Sequence, residues 1–308
     1  MSRAPLDLAA RVRVPASTSN LGPGFDVVGL ALDLWLEVEA RRAGERVVVL
    51  ERAGEAAAWP GDGSDLLVRG AERAFRALGG TGGLELRARS QVPVGRGLGS
   101  SAAAVVAGLL LGAHLAPRQA SREVLLGWAI ELEGHPDNAA PALFGGCRTT
   151  CPREGAPPRA VEHDVHPELG FALAWPDAPL ETSFARGLLP RDVPHAVAVD
   201  TARRLALVLE GLRRGDPELL AAGNVEHLHV PHRLPHVPGG EAALAAARAA
   251  GASLATISGA GSALFAVTRR DQAERVAAAM GAAFRAAGAG GAHRAARLVL
   301  AAPQVEPA

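Results

Sequence analysis

Three features of the sequence predict an α+β fold. Short apolar–polar alternations crowd the first 90 residues, long apolar runs of helical period follow over 99–133, and beyond residue 194 helical stretches flank short strand-like runs. With 308 residues, 48% hydrophobic and 21% charged, the chain can bury the core of one large or two medium domains.

In chain order, alternation predicts strands at 10–14, 34–39, 46–51 and 84–90. The last places Leu84, Leu86 and Ala88 on one face and Glu85, Arg87 and Arg89 on the other. Helices are expected over 65–78, 99–115 and 121–133. The longest apolar run, 102–111, is well short of the roughly 18 to 20 residues of a membrane span and reads as a buried helix. Residues 171–175 read as a short buried strand. Helices at 195–212, 216–222, 241–250 and 271–287 then flank strands at 254–258, 263–267 and 295–301. The stretch 152–167, rich in Pro, Gly and charge and without period, is the expected linker between units 1–151 and 168–308. The Ala- and Gly-rich stretch 286–292 reads as a loop, and there is no internal repeat.

The 32 basic residues balance 32 acidic ones, so no net field draws nucleic acid or an anionic membrane, and neither is expected as a partner. All 32 are arginine; the sequence has no lysine. Schiff-base chemistry is excluded. So are the Walker-A and protein-kinase phosphate sites, each of which needs a lysine on the nucleotide phosphates. Two cysteines, Cys147 and Cys151, are too few for a disulfide framework or a four-ligand zinc site of the usual kind. The N-terminus has no signal-peptide pattern, so a cytoplasmic protein with free thiols is expected.

The most informative run is Pro93-Val94-Gly95-Arg96-Gly97-Leu98-Gly99-Ser100-Ser101-Ala102-Ala103, between a strand pattern and a long apolar helix. Glycines let backbone amides approach an anion, and the new helix points its unpaired N–H groups and positive dipole end to the same place. That suits a triphosphate. A flexible turn with a serine cap would also read this way, and so would a dinucleotide loop, although the spacing is not GxGxxG.

The run resembles the phosphate loop of the galactokinase, homoserine kinase, mevalonate kinase and phosphomevalonate kinase (GHMP) superfamily, P-x3-G-L-G-S-S-A-A, which holds ATP without a lysine. Two further runs fall in that family's order: Pro15-Ala16-Ser17-Thr18-Ser19-Asn20-Leu21-Gly22-Pro23-Gly24-Phe25-Asp26, and Thr256-Ile257-Ser258-Gly259-Ala260-Gly261-Ser262, where many relatives carry proline at the last position. The resemblance implies two α+β lobes with the nucleotide at their junction, a left-handed βαβ crossover in the first lobe, and a last motif packed beside the phosphate loop. It implies ATP bound by 93–103 and Mg²⁺ held by Ser101 and Glu133, Glu133 being otherwise readable as a solvated helix charge like Glu131.

The string Glu133-Gly134-His135-Pro136-Asp137-Asn138-Ala139-Ala140-Pro141-Ala142 resembles the homoserine kinase branch. In that branch His135, Asp137 and Asn138 lie at the substrate hydroxyl, Asn20 and Asp26 hold the amino end and the hydroxyl, and Arg186 and Arg233 take the carboxylate. Arginine suits that task because its fork makes two charge-assisted bonds. Asn138, Asp137 and Arg186 are the catalytic candidates, with Asn138 and Asp26 orienting the hydroxyl and Asp137 mainly structural or electrostatic. Asp65 stands where relatives commonly carry Asn at the adenine site. The histidines 227, 229, 232 and 236 invite a zinc reading, but Pro231 and Pro235 break the helix that would align them. The resemblance thus implies transfer from ATP to the hydroxyl of L-homoserine, on the way to threonine, with a homodimer left open. The competing readings are a kinase of the same fold for an isoprenoid or sugar alcohol, and a ligand-binding relative without catalysis.

Overall fold

β1 (Ala9–Asn20) and β2 (Gly24–Arg42) form a long antiparallel hairpin whose two halves differ in burial. Over the outer half only alternate residues, Ala10, Val12, Val14, Leu36, Val38 and Ala40, face a core. Over the inner half both faces are covered, so 15–20 and 28–32 are continuously buried and lose the alternation that marks a one-sided strand. Expected strands there were accordingly shorter than those found. The computed structural model describes residues 9–308; residues 1–8, which begin the expected unit 1–151, lie outside the described residues.

β3 (Val47–Gly54), α1 (Leu66–Ala77) and β4 (Leu84–Ser90) make a crossover in which β3 and β4 pair in parallel. There follow α2 (Ser100–His114), α3 (Arg122–Glu133), α4 (Ala139–Phe144), β5 (Cys147–Arg153) and β6 (Ala156–His163). The second half contains β7 (Leu169–Trp175), α5 (Thr182–Gly187), α6 (His195–Arg214), α7 (Pro217–Gly223), α8 (Val230–Arg233), α9 (Gly240–Ala249), β8 (Leu254–Ile257), β9 (Leu264–Arg269), α10 (Ala273–Ala286), β10 (Ala292–Ala296) and β11 (Val305–Pro307).

The first sheet runs β11-β1-β2-β4-β3, with β5 on β2 and β6 on β5; the second runs β10-β7-β9-β8. One face of the first sheet packs on α1 to α4, where Leu84, Leu86 and Ala88 meet Leu67, Ala71 and Phe75. α1 and α2 lie so close that a Cβ on Gly108 would sit 2.3 Å from the Leu67 carbonyl oxygen. That contact sets the start of α1 beside the phosphate loop. A second core joins the sheets: Val28, Leu30 and Leu32 of β2 pack with Phe171, Leu173 and Phe265 of β7 and β9. The junction between the sheets is therefore a solid apolar body with the polar motifs at its margin.

The stretch 152–167 is not a linker. Half of it is β6, which extends the first sheet with Thr149 opposite Val161. Its prolines 157 and 158 are tolerated because β6 is an edge strand, where a missing N–H costs no ladder bond. The expected strand 295–301 is β10 at 292–296 instead, and the tail then crosses back so that β11 pairs with β1.

Candidate active site

The phosphate loop leaves β4 and enters α2 through three left-handed glycines, Gly95, Gly97 and Gly99, at φ 67°, 70° and 70°. Both neighbouring motifs clamp it. Ser17 N donates to Leu98 O (3.2 Å), Ala263 N to Arg96 O (3.0 Å) and Ser258 Oγ to Gly97 O (2.7 Å). Gly97 is obligatory, since a Cβ there would lie 2.0 Å from the Ser258 carbonyl oxygen. Arg96 turns its guanidinium onto the carbonyls of Val94 and Asp177. Ser262 Oγ likewise donates to Ala178 O at 2.7 Å.

α2 begins without a side-chain cap, and Ser100 Oγ is buried without a partner. Uncapped N–H groups and an orphaned hydroxyl beside a cavity are an anion site in waiting. The cavity, about 240 Å³, is lined by Ser101, Leu98, Trp59, Asp65, His135 and Arg186, among others. Asp65 spends its carboxylate on capping α1, accepting from Leu67 N (2.9 Å) and Val68 N (3.3 Å), and on Arg52 at 2.6 Å.

Ser101 Oγ donates to Glu133 Oε2 at 2.8 Å. Glu131, two residues earlier, points outward to Arg73 at 3.0 Å. Burial pushes the Glu133 carboxyl above its ordinary range, against the lowering effect of Ser101 and His135. No arginine or histidine pairs with it among the described residues. Two hard oxygens, of Ser101 and Glu133, fit Mg²⁺, which takes its remaining ligands from phosphates and water.

The His135-Pro136-Asp137-Asn138 turn is held from inside. His135 Nδ1 meets Asp137 Oδ1 at 2.8 Å, and the same oxygen accepts from Asn138 N at 3.0 Å. Asn138 donates through Nδ2 to Ser19 Oγ and accepts at Oδ1 from Ser17 Oγ, both at 2.9 Å. Burial alone would lower the His135 imidazole, but the bond to Asp137 and the charges of Asp137 and Glu133 raise it above 6.5. Burial likewise would raise Asp137, yet His135 and Ser19 hold it below 3.8. The pair therefore contributes most between those two values, weakening as pH falls through the Asp137 pKa or rises through that of His135. In an NMR titration the His135 midpoint should lie above 6.5 and fall in Asp137→Asn; an unmoved midpoint would disprove the coupling.

On the other side Asp26 and Arg186 face each other as a two-bond fork, at 2.9 and 2.8 Å. Asp26 sits at φ 55°, fixed by its N–H donating to Asn20 Oδ1 (3.0 Å), while Asn20 Nδ2 donates to Gly259 O (2.9 Å). Arg233 is 2% exposed, the largest fully buried side chain among the described residues. It donates to Ala185 O (3.2 Å) and Gly259 O (3.1 Å) and lies 5.2 Å from the Phe25 ring centroid. Burial, reinforced by Arg186, pulls its pKa down to about 10. Among the described residues no carboxylate pairs with it directly.

The residues expected at the site thus line one cavity, from Asn20 and Asp26 through Pro93–Ser101 to His135, Asp137, Asn138, Arg186 and Arg233. Ala102, Ala103 and Glu133 are not in its lining, although Glu133 touches Ser101. Sequence reasoning missed Trp59 in the lining and the supporting hydroxyls of Ser17, Thr18, Ser19 and Ser258. Their signal was present in principle, as a polar run inside a strand with nothing polar to pair with locally. Three of the four histidines diverge: His227 reaches Asp200 (3.5 Å), His229 is buried against Phe25, and His236 meets Phe184 edge-on.

Residues 65–146 match the GHMP kinases N terminal domain and 208–286 the GHMP kinases C terminal domain. The homoserine kinase of Synechococcus sp. (strain CC9605) is 41% identical over 281 residues, 90% of this chain and 89% of that protein. That of strain CC9902 is 40% identical over the same shares. The crystal structure of homoserine kinase from Cytophaga hutchinsonii superposes with a TM-score of 0.88 at 29% identity, covering 99% of each chain. A fold shared end to end, with relatives at this identity across nine-tenths of the sequence, means that the chain belongs to the homoserine kinase family of the GHMP kinases.

Proposed function

We infer that the chain transfers the terminal phosphoryl group of ATP to the side-chain hydroxyl of L-homoserine, yielding O-phospho-L-homoserine and ADP. The observation that carries the choice of acceptor is Arg233, a buried guanidinium bonded among the described residues only to carbonyls, beside a second arginine already matched to Asp26. Such a cation is left short of an anion, and a small acceptor bearing a carboxylate supplies it. Asn20, in the same lining, takes the amino end. A zwitterion of amino-acid size satisfies both.

In this reading the amides of 95–101 and the start of α2 hold the phosphates, and Ser101 with Glu133 would hold Mg²⁺. The ion, when bound, neutralises charge on the phosphate oxygens. Asn138, clamped by Ser17 and Ser19, and Asp26 orient the acceptor hydroxyl. Phosphoryl transfer through a loose transition state needs little prior deprotonation, so positioning suffices without a general base. The buried Asp137, engaged by His135 and its neighbour's N–H, braces the turn. Since a general base is worth about 10² to 10⁴ in rate, Asp137→Asn should cost less than about tenfold in kcat; a loss of about 10³ in a folded variant would make Asp137 the base.

ADP release over a panel of homoserine, mevalonate, galactose and no acceptor tests the function. Homoserine should stimulate most. Greater stimulation by mevalonate or galactose would move the chain to another branch of the superfamily. A step in threonine biosynthesis, a cytoplasmic location and a homodimer are further expectations from the family, open to auxotroph complementation, fractionation and light scattering. No described helix is long and apolar enough to cross a membrane.

A further inference from the structure

Glu226 lies outside the cavity lining, yet its carboxylate organises the turn that carries Arg233. Its Oε1 accepts from Leu228 N (2.6 Å), and its Oε2 accepts from His229 N (2.9 Å) and Val230 N (2.7 Å). The next residue, Pro231, has no N–H to offer, so this one side chain takes three successive backbone donors at the start of α8. A helix of four residues has no stability of its own, because nucleation is unfavourable and nothing is gained by propagation. Its geometry must be imposed.

From that turn two side chains grip Phe25 of the first motif. The His229 ring stacks on it, with centroids 5.3 Å apart, and its Nε2–H donates to Gly22 O at 3.1 Å. Arg233, one turn later, has its guanidinium 5.2 Å from the same ring and ties together Ala185 and Gly259. Its own backbone N–H closes the turn on His229 O at 3.0 Å. Shifting the start of α8 would move Arg233 relative to Asp26 and Arg186 without touching the phosphate loop. The Glu226 charge also acts on Arg233, where the two arginines otherwise face Asp26 and Asp137.

We propose that Glu226 is a positioning residue for acceptor recognition, whose carboxylate sets the α8 turn that presents Arg233 to the carboxylate of the acceptor. This rests on the homoserine reading. Gln at this position keeps the length but sets an N–H₂ against one or two backbone donors and removes the charge.

The test uses the full chain and L-2-aminobutyrate, which is homoserine without the reacting hydroxyl, so that binding is read apart from turnover. In Glu226→Gln, the calorimetric Kd for 2-aminobutyrate and the KM for homoserine should both rise about tenfold. kcat should stay within about twofold and the KM for ATP should not move, since neither the phosphate loop nor the hydroxyl site is altered. Glu226→Asp, which keeps the charge and acceptor oxygens, should recover part of the affinity and serves as the deciding variant if the Gln form melts early. An unchanged Kd in both variants, or parallel losses for ATP and 2-aminobutyrate, overturns the proposal. If wild-type protein neither binds 2-aminobutyrate nor uses homoserine, the functional reading falls and this inference with it.

Discussion

Glu133→Gln is expected to lower kcat by about 10² to 10³, the range seen when one preorganised electrostatic partner of a transition state is removed. Gln keeps the size and the acceptor oxygen for Ser101 Oγ, 2.8 Å away, and loses only the charge. The fold should not suffer. Burial has raised the Glu133 pKa, so its ionised form is disfavoured in the folded state, and above the ordinary carboxyl range the charge works against stability. The variant should therefore melt no lower than wild type at neutral pH. The measurement is kcat against Mg²⁺ concentration for both proteins. A wild-type rate with unchanged Mg²⁺ dependence would put Glu133 back with Glu131, as a helix charge without a role in transfer.

Arg233→Lys should be the other large effect, confined to the acceptor. The guanidinium spans Ala185 O and Gly259 O while lying against Phe25. A single ammonium nitrogen cannot reach both carbonyls and a carboxylate in that geometry. Weakening a buried, hydrogen-bonded charge pair costs about 2 to 5 kcal/mol, so kcat/KM for homoserine should fall about 30- to 4000-fold. The Kd for ATP should change less than about twofold. The site also depresses cations: it pulls the arginine to about 10, mainly through burial. A lysine there would be depressed too, so its residual acceptor affinity should improve as pH is lowered and more of it is charged. Equal losses for ATP and homoserine would point to misfolding instead.

Legibility in the sequence followed range along the chain. β4 was read residue by residue, because one buried face imposes strict alternation on Leu84, Leu86 and Ala88. The inner half of β1 was not read as strand, because Ser17, Thr18, Ser19 and Asn20 are polar residues buried on both sides. They satisfy their hydroxyls and amide with Asn138, Ser258 and Gly259, more than 100 positions away. The prolines of 152–167 suggested a linker; at the edge of a sheet they are compatible with a strand.

The sequence by itself determined the local form of the loop expected to hold phosphate. A run of eleven residues, Pro93–Ala103, contains the turn glycines, the hydroxyls and the helix start, and the absence of lysine removes the other common designs. Such a site is made of backbone amides in one contiguous segment, so local pattern is enough to specify it. The family resemblance named Arg186, Arg233 and Glu133; only the tertiary structure decided what surrounds them. All 32 arginines look alike in one dimension, and Glu131 and Glu133 share a helix. What separates them is burial and partners: Arg233 closed in against Phe25, Arg186 forked onto Asp26 across 160 positions, Glu133 facing Ser101 and Glu131 facing Arg73. Low dielectric and missing water give a side chain its electrostatic weight, and both arise only when distant segments are packed together.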